Sequence, residues 1–150
     1  MEPMKLSTRT RYGSRAMVEL ARAYPGSIVS VKVMSRNQRL SAKYLEGIMV
    51  PLKAAGLVKA VRGPQGGYAL TRSPSAIRLG DIFRVLEGSP APVRCVDRAN
   101  SCPMHARCPT RTTWVQLKRA IERVLDGTTL QNLVDRKGGT TGPCEATYEI

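Results

Sequence analysis

Residues 41–72, SAKYLEGIMVPLKAAGLVKAVRGPQGGYALTR, decide the fold. Ser41 is a helix N-cap residue, and Leu45, Ile48, Met49 and Leu52 follow at i, i+3, i+4, i+7, giving a helix with one apolar face. Lys43, Tyr44, Glu46, Gly47 and Lys53 are left on the outward face. Hydrogen-bonding groups and cations so arranged suit a helix that reads base edges and phosphates. Pro51 lies inside this helix. Proline clashes with the carbonyl four residues back, here Gly47, so a bend is expected, with a penalty of up to ~3 kcal/mol. Gly56 closes the helix. Residues 57–62 and 68–72 then read as two short strands joined by Gly63-Pro64-Gln65-Gly66-Gly67. That loop lacks the G-K-[ST] ending of a P-loop and the G-x-G-x-x-G fingerprint, so it is read as a hairpin wing and not as a nucleotide site. Arg62, at its base, can lie along a sugar-phosphate backbone or enter a minor groove.

Upstream, Ser7 or Thr8 can cap a first helix in which Tyr12, Ala16, Met17, Leu20 and Ala21 recur at helical spacing before Pro25-Gly26. Arg11, Arg15 and Arg22 fall on its other face. Residues 29–38 read as a short strand and a second helix, with a turn at Arg39-Leu40. Helix, turn, helix and hairpin together make a winged helix-turn-helix. Downstream, Leu79, Ile82, Phe83 and Leu86 mark another amphipathic helix ended by Gly88. Trp114, Leu117, Ile121 and Val124 then repeat at a helix-seam spacing, from a start at Thr110 or Thr112. That seam is read as a dimerisation helix, because two-fold symmetry suits palindromic duplex DNA better than RNA. Leu130, Leu133 and Val134 suggest a short last helix, and residues 138–150 look disordered.

The fold class expected is therefore mainly α with a small β-hairpin wing. The expected division is a DNA-binding domain at 1–88, a cysteine-bearing loop at 89–109, dimerisation and terminal helices at 110–137, and the tail. Charge agrees with this. The 150 residues carry a net +13, and residues 1–80 hold +11 of it, which points the first half at a polyanion. No uninterrupted apolar run offers a signal peptide or a membrane span, so a cytoplasmic protein is expected. Paired carboxylates in a pocket, a nucleophile with its base and a nucleotide loop are all lacking, so no enzyme is expected.

Between the wing domain and the seam helix lies CVDRANSCPMHARC, residues 95–108. Three of the four cysteines, Cys95, Cys102 and Cys108, share it with the chain's one histidine, His105. In a reducing compartment such clustering points to a soft metal centre or redox-active thiols more than to disulfides. The C-x6-C-x5-C spacing fits neither a zinc knuckle nor a ferredoxin run. Pro90 and Pro92 lead into this stretch, which is expected to be an irregular loop. Arg94, Arg98, Arg107 and Arg111 surround the thiols and favour their deprotonation.

Four stretches, MKLSTRTRYG (4–13), YLEGIMVPLKAAGLV (44–58), VRGPQGGY (61–68) and LGDIFRVLEG (79–88), together resemble the bacterial IscR/NsrR/CymR family. The resemblance covers residues 4 to about 135. It implies a homodimeric winged-helix transcription regulator, expected here to be a repressor. Cys95, Cys102 and Cys108 match the family's ligands for an iron-sulfur cluster, [2Fe-2S] favoured and [4Fe-4S] possible, that senses iron-sulfur status, oxygen or nitric oxide. Members of the CymR kind lack these cysteines and act without a cluster. By the same matching Ser41, Lys43, Tyr44 and Glu46 fall on the recognition-helix contacts and Arg62 on the wing contact. Arg11 and Tyr12 of the first helix and Gly63 of the wing join them as candidate DNA-binding residues. IscR-like proteins carry a histidine three residues after the third cysteine, where this chain has Arg111. NsrR-like proteins use an acidic residue near the N-terminus, where it has Arg11. His105 stands as a candidate fourth ligand beside Cys144, Asp97, a small molecule or water. The rival reading is a cluster-free regulator of the same fold, switched by thiol oxidation or a partner protein; a zinc site is a third.

Overall fold

The computed structural model describes residues 6–136. The expected tail, with Cys144, lies outside the described residues. The chain runs α1 (Thr8–Arg22), α2 (Val31–Gln38), α3 (Ala42–Ala54), β1 (Val58–Val61), β2 (Gly67–Leu70), α4 (Leu79–Leu86), α5 (Arg94–Asp97), α6 (Arg111–Asp126) and α7 (Leu130–Asp135). This is the mainly helical, hairpin-winged architecture expected from the sequence.

Each of the first three helices starts where a side chain can satisfy free backbone N–H groups. Ser7, Ser30 and Ser41 cap α1, α2 and α3, accepting from the N–H groups of Thr10, Val33 and Tyr44. The apolar face of α3 is the expected one, and Leu45, Ile48, Met49 and Leu52 are all fully buried. In α1, Ala16, Met17, Leu20 and Ala21 are buried, while Tyr12 packs partly buried against the core. The expected strand before α2 is a single bridge, in which Val29 and Tyr68 exchange two backbone hydrogen bonds of 2.9 Å. It ties the wing to the helical body. Within the wing, Val58 pairs with Leu70 and Val61 with Gly67, antiparallel. Val58, Tyr68 and Leu70 close the core below, and Lys59, Ala60 and Val61 stay exposed.

Helix α3 runs through Pro51 without interruption. The proline sits in the last turn, and its missing N–H leaves the Gly47 carbonyl without a partner inside the helix. The guanidinium of Arg9 takes that place, Nη2 donating to Gly47 O at 3.1 Å. Gly56 follows the helix end with φ +74°, a left-handed conformation that glycine adopts freely.

The cysteine stretch is more ordered than the irregular loop expected. Arg94–Asp97 forms one helical turn and Ala99–Ser101 a 3₁₀ turn. The Arg98 N–H donates to Arg94 O, and Ser101 Oγ donates to Arg98 O. Asp97 then binds Lys118 of α6 at 2.7 Å, which pins the turn to the long helix. These are local and tertiary hydrogen bonds that proline and glycine punctuation does not reveal.

Helix α6 has no buried residue; Trp114, Leu117 and Ile121 are half-buried and Val124 is 67% exposed. Its polar edge is fastened to α4, where Arg84 and Asp126 pair at 2.6 Å. The chain then turns back. Leu79 N–H donates to Thr128 O, and Leu130 N–H donates to Ile77 O. Leu130 of α7 is fully buried in the core beneath α1.

Glu87, just past α4, locks α4 to the start of α1. Its carboxylate accepts from the hydroxyls of Ser7 and Thr10, both at 2.5 Å, and from Ser7 N–H at 3.3 Å. Desolvation alone would raise its pKa, but these hydrogen bonds outweigh it and hold the carboxyl below the ordinary value. A folded-state value below the unfolded one means that the contribution is present above the unfolded carboxyl value, about 4.3, and is lost as pH falls through the folded one. Glu87→Gln is therefore expected to flatten part of the acid-side decline in melting temperature between about pH 5 and pH 3. Parallel melting curves of parent and variant across that window check this; an identical acid slope would contradict it.

Candidate nucleic-acid interface and cysteine segment

On the outward side of α3, Lys43, Tyr44, Glu46, Gly47 and Lys53 are exposed, as the helical spacing requires. The Ser41 hydroxyl accepts the Tyr44 N–H at 3.1 Å and so holds the first turn of the helix. The N-terminal turns of α1 lie against the same surface. Tyr12 meets Tyr44 edge to face, with centroids 6.3 Å apart and planes at 85°. Arg15 stacks over Tyr12 at 5.2 Å, and the Thr8 and Tyr44 hydroxyls are 3.5 Å apart. An edge-to-face pair with a cation on its far ring stabilises by about 1 kcal/mol and orients both tyrosines. Arg9, Ser41, Lys43, Tyr44, Gly47 and Ile48 line a groove of about 400 Å³.

Glu46 lies near the base of the wing, where burial first and the charge of Glu46 second raise the Tyr68 pKa. Arg62 and Gly63 form the exposed turn after β1, with Gly63 at φ +110° and its carbonyl accepting the Gly66 N–H at 2.9 Å. Arg11 is exposed on α1. The structure thus brings Tyr12 and Tyr44 together, adds Thr8 and Arg9, which helical spacing alone does not single out, and places Arg62 and Gly63 apart on the wing. Pro51 is a signal that Gly47 needs an outside donor; which cation supplies it is a tertiary fact.

Cys95, Cys102 and Cys108 are free and half-buried. Cys108 stands just before α6, its sulfur 3.3 Å from Thr110 Oγ1. That hydrogen bond, with the backbone N–H groups of Thr110 and Arg111 and the charge of Arg111, lowers the thiol pKa. The ease of forming a thiolate suits a soft metal. The positions of the donors are less suited. Among the described residues no three His, Cys, Asp or Glu side chains converge on a point that could hold one metal ion. Asp97 is engaged by Lys118, which lowers its pKa. His105 is half-buried, its backbone N–H donating to Cys102 O at 3.1 Å. Arg111 occupies the first turn of α6, with Nε buried and without a hydrogen-bond partner among the described residues. No helix among those residues is long and apolar enough to cross a membrane.

Residues 6–136 match the Rrf2 family, described as iron-dependent transcriptional regulators. The HTH-type transcriptional regulator CymR of Bacillus subtilis is 40% identical over 136 residues, covering 91% of this chain and 94% of that one. The structure of CymR, titled the global cysteine regulator of B. subtilis, superposes with a TM-score of 0.75 at 39% identity, covering 91% of this chain and 100% of that one. The structure of T. potens IscR gives 0.71 at 40% identity, covering 87% and 86%. With a family match over all the described residues, relatives that are regulators and not enzymes, and a winged-helix frame shared with CymR and IscR, this chain belongs to the Rrf2 family of DNA-binding transcriptional regulators.

Proposed function

We propose that this chain is a homodimeric regulator, acting as a repressor at a palindromic operator, whose DNA affinity is set by an iron-sulfur cluster held by Cys95, Cys102 and Cys108. The observation that carries this reading is the placing of three free, half-buried thiols on one short segment that Asp97 ties to α6 through Lys118. Bound there, a cluster supplies a centre that reacts with oxygen or nitric oxide. The protein's own part is mechanical. Cys95, Cys102 and Cys108 would hold the cluster, and the Asp97–Lys118 pair would tie their segment to the long helix. Arg84–Asp126 joins α6 to α4, and Glu87 joins α4 to the turn of α1 that braces Tyr44. In this reading residues 1–88 carry DNA recognition through Ser41, Lys43, Tyr44, Glu46, Arg62 and Gly63, with Arg11 and Tyr12 beside them. Residues 89–109 carry the ligands. Residues 110–137 hold two copies together through Trp114, Leu117, Ile121 and Val124 of α6.

Anaerobic purification, an iron and sulfide assay and a visible spectrum test the reading, together with gel shifts of the loaded and stripped protein. Iron and sulfide are expected in the parent and absent from Cys95→Ala, Cys102→Ala and Cys108→Ala; their absence from His105→Ala would identify His105 as the fourth ligand. DNA affinity should differ between the two forms by about 5- to 150-fold and fall steeply with salt. Gel shifts insensitive to both cluster state and salt would sink it. A second reading is a cluster-free regulator of the same fold switched by thiol oxidation, which three free thiols on one segment equally allow. It predicts no iron or sulfide and a DNA affinity that changes with a thiol oxidant and reverts with a reductant.

A further inference from the structure

The centre of the outward face of α3 is bare. Gly47 lies one turn beyond Lys43 and Tyr44, where a reading helix ordinarily presents a side chain to the bases. Packing does not require glycine there, since a β-carbon on Gly47 would meet nothing within 4 Å. What lies against this position is Arg9 of α1, its guanidinium donating to the Gly47 carbonyl at 3.1 Å. Pro51 keeps that carbonyl free for it, and the Thr8–Tyr44 and Tyr12–Tyr44 contacts hold the first turns of α1 over the helix. We infer that Arg9 is a sequence-reading residue of the DNA interface, offering its guanidinium to a guanine edge across the bare Gly47 position of the recognition helix. This rests on the proposed reading in which α3 carries DNA recognition.

The chemistry suits the role. A guanidinium has five N–H donors in a planar fork, and one hydrogen bond to Gly47 leaves others for the O6 and N7 acceptors of guanine. Anchoring before DNA arrives reduces the ordering cost on binding. This arginine is anchored to the backbone of the reading helix and lines the groove beside Lys43 and Tyr44.

The test is selection from a pool of randomised duplexes by the full chain, followed by affinity measurements on single-base variants of the selected site. In the parent a guanine preference of about 5- to 150-fold is expected at one symmetry-related pair of positions, the range of a bidentate base contact. Arg9→Lys and Arg9→Ala should flatten that preference while leaving the others, including those that depend on Lys43, in place. Pro51→Ala restores an N–H for the Gly47 carbonyl, competes with Arg9 and should weaken the same preference. Arg9 variants that keep every base preference with a uniform fall in affinity would reduce Arg9 to a phosphate contact and overturn the inference. A Pro51→Ala protein with the parent's preference would overturn the part of it in which the Gly47 carbonyl aims the guanidinium. A parent that selects no motif would bring down the underlying reading as well, and so is distinguishable from failure of the Arg9 role alone.

Discussion

Leu130→Ala is expected to destabilise the whole winged domain by about 2–5 kcal/mol, although Leu130 lies far along the chain from the helices and hairpin of that domain. Its side chain is fully buried in the same cluster as Met17, Leu20 and Ile77. Its N–H donates to Ile77 O, so the backbone cannot slide to close the void that alanine leaves. Shortening the side chain at such a site costs the transfer energy of the deleted atoms and the unfilled cavity together. Against a total stability of about 5–15 kcal/mol for a domain of this size, the effect is large. Urea unfolding at one fixed protein concentration should show a lower midpoint with an unchanged m-value. A midpoint shift equivalent to less than about 0.5 kcal/mol would mean that α7 is not part of the core.

The second large effect is expected from Gly67→Ala. A β-carbon there would run into Val29 O and lie 2.6 Å from Val29 C and 2.7 Å from Ser30 Cα. These are backbone atoms, so no rotamer change relieves the clash. The Val29–Tyr68 pair of hydrogen bonds must open, or the hairpin must swing away. Overpacking and the broken bridge together cost about 3 kcal/mol. Because β2 carries the wing, Arg62 and Gly63 move with it. DNA binding should then weaken, with a salt slope smaller by about 1 for each phosphate that the displaced wing no longer neutralises. Gly47→Ala is the control: with open space around it, the same substitution should stabilise the exposed helix by up to about 1 kcal/mol. Equal effects of the two alanines on melting temperature would contradict this account of both sites.

Much of the fold is legible in the sequence because periodicity reports burial directly. The spacing of Leu45, Ile48, Met49 and Leu52 leaves Lys43, Tyr44 and Glu46 nowhere to go but outward, and the structure has them exposed. The serine caps and the glycine-proline wing turn are local, and they are equally readable. Burial periodicity fails where two elements meet at one polar atom. Nothing in the order of residues joins Arg9 to Gly47, Glu87 to Ser7 and Thr10, or Asp97 to Lys118; each pair is brought together by packing from far along the chain. The effect of Pro51 is of the same kind, because the carbonyl it leaves open is satisfied by a donor from another helix.

By itself, then, the sequence determined the winged helix-turn-helix and its outward cationic face, since a helix or hairpin follows from the side chains within it. It also determined that three cysteines share one segment. Only the tertiary structure decided that Arg9 donates to the Gly47 carbonyl, that α7 returns to complete the core and that Asp97 fastens the cysteine segment to α6. Those contacts join residues distant in the chain, and their geometry is fixed by how the helices pack.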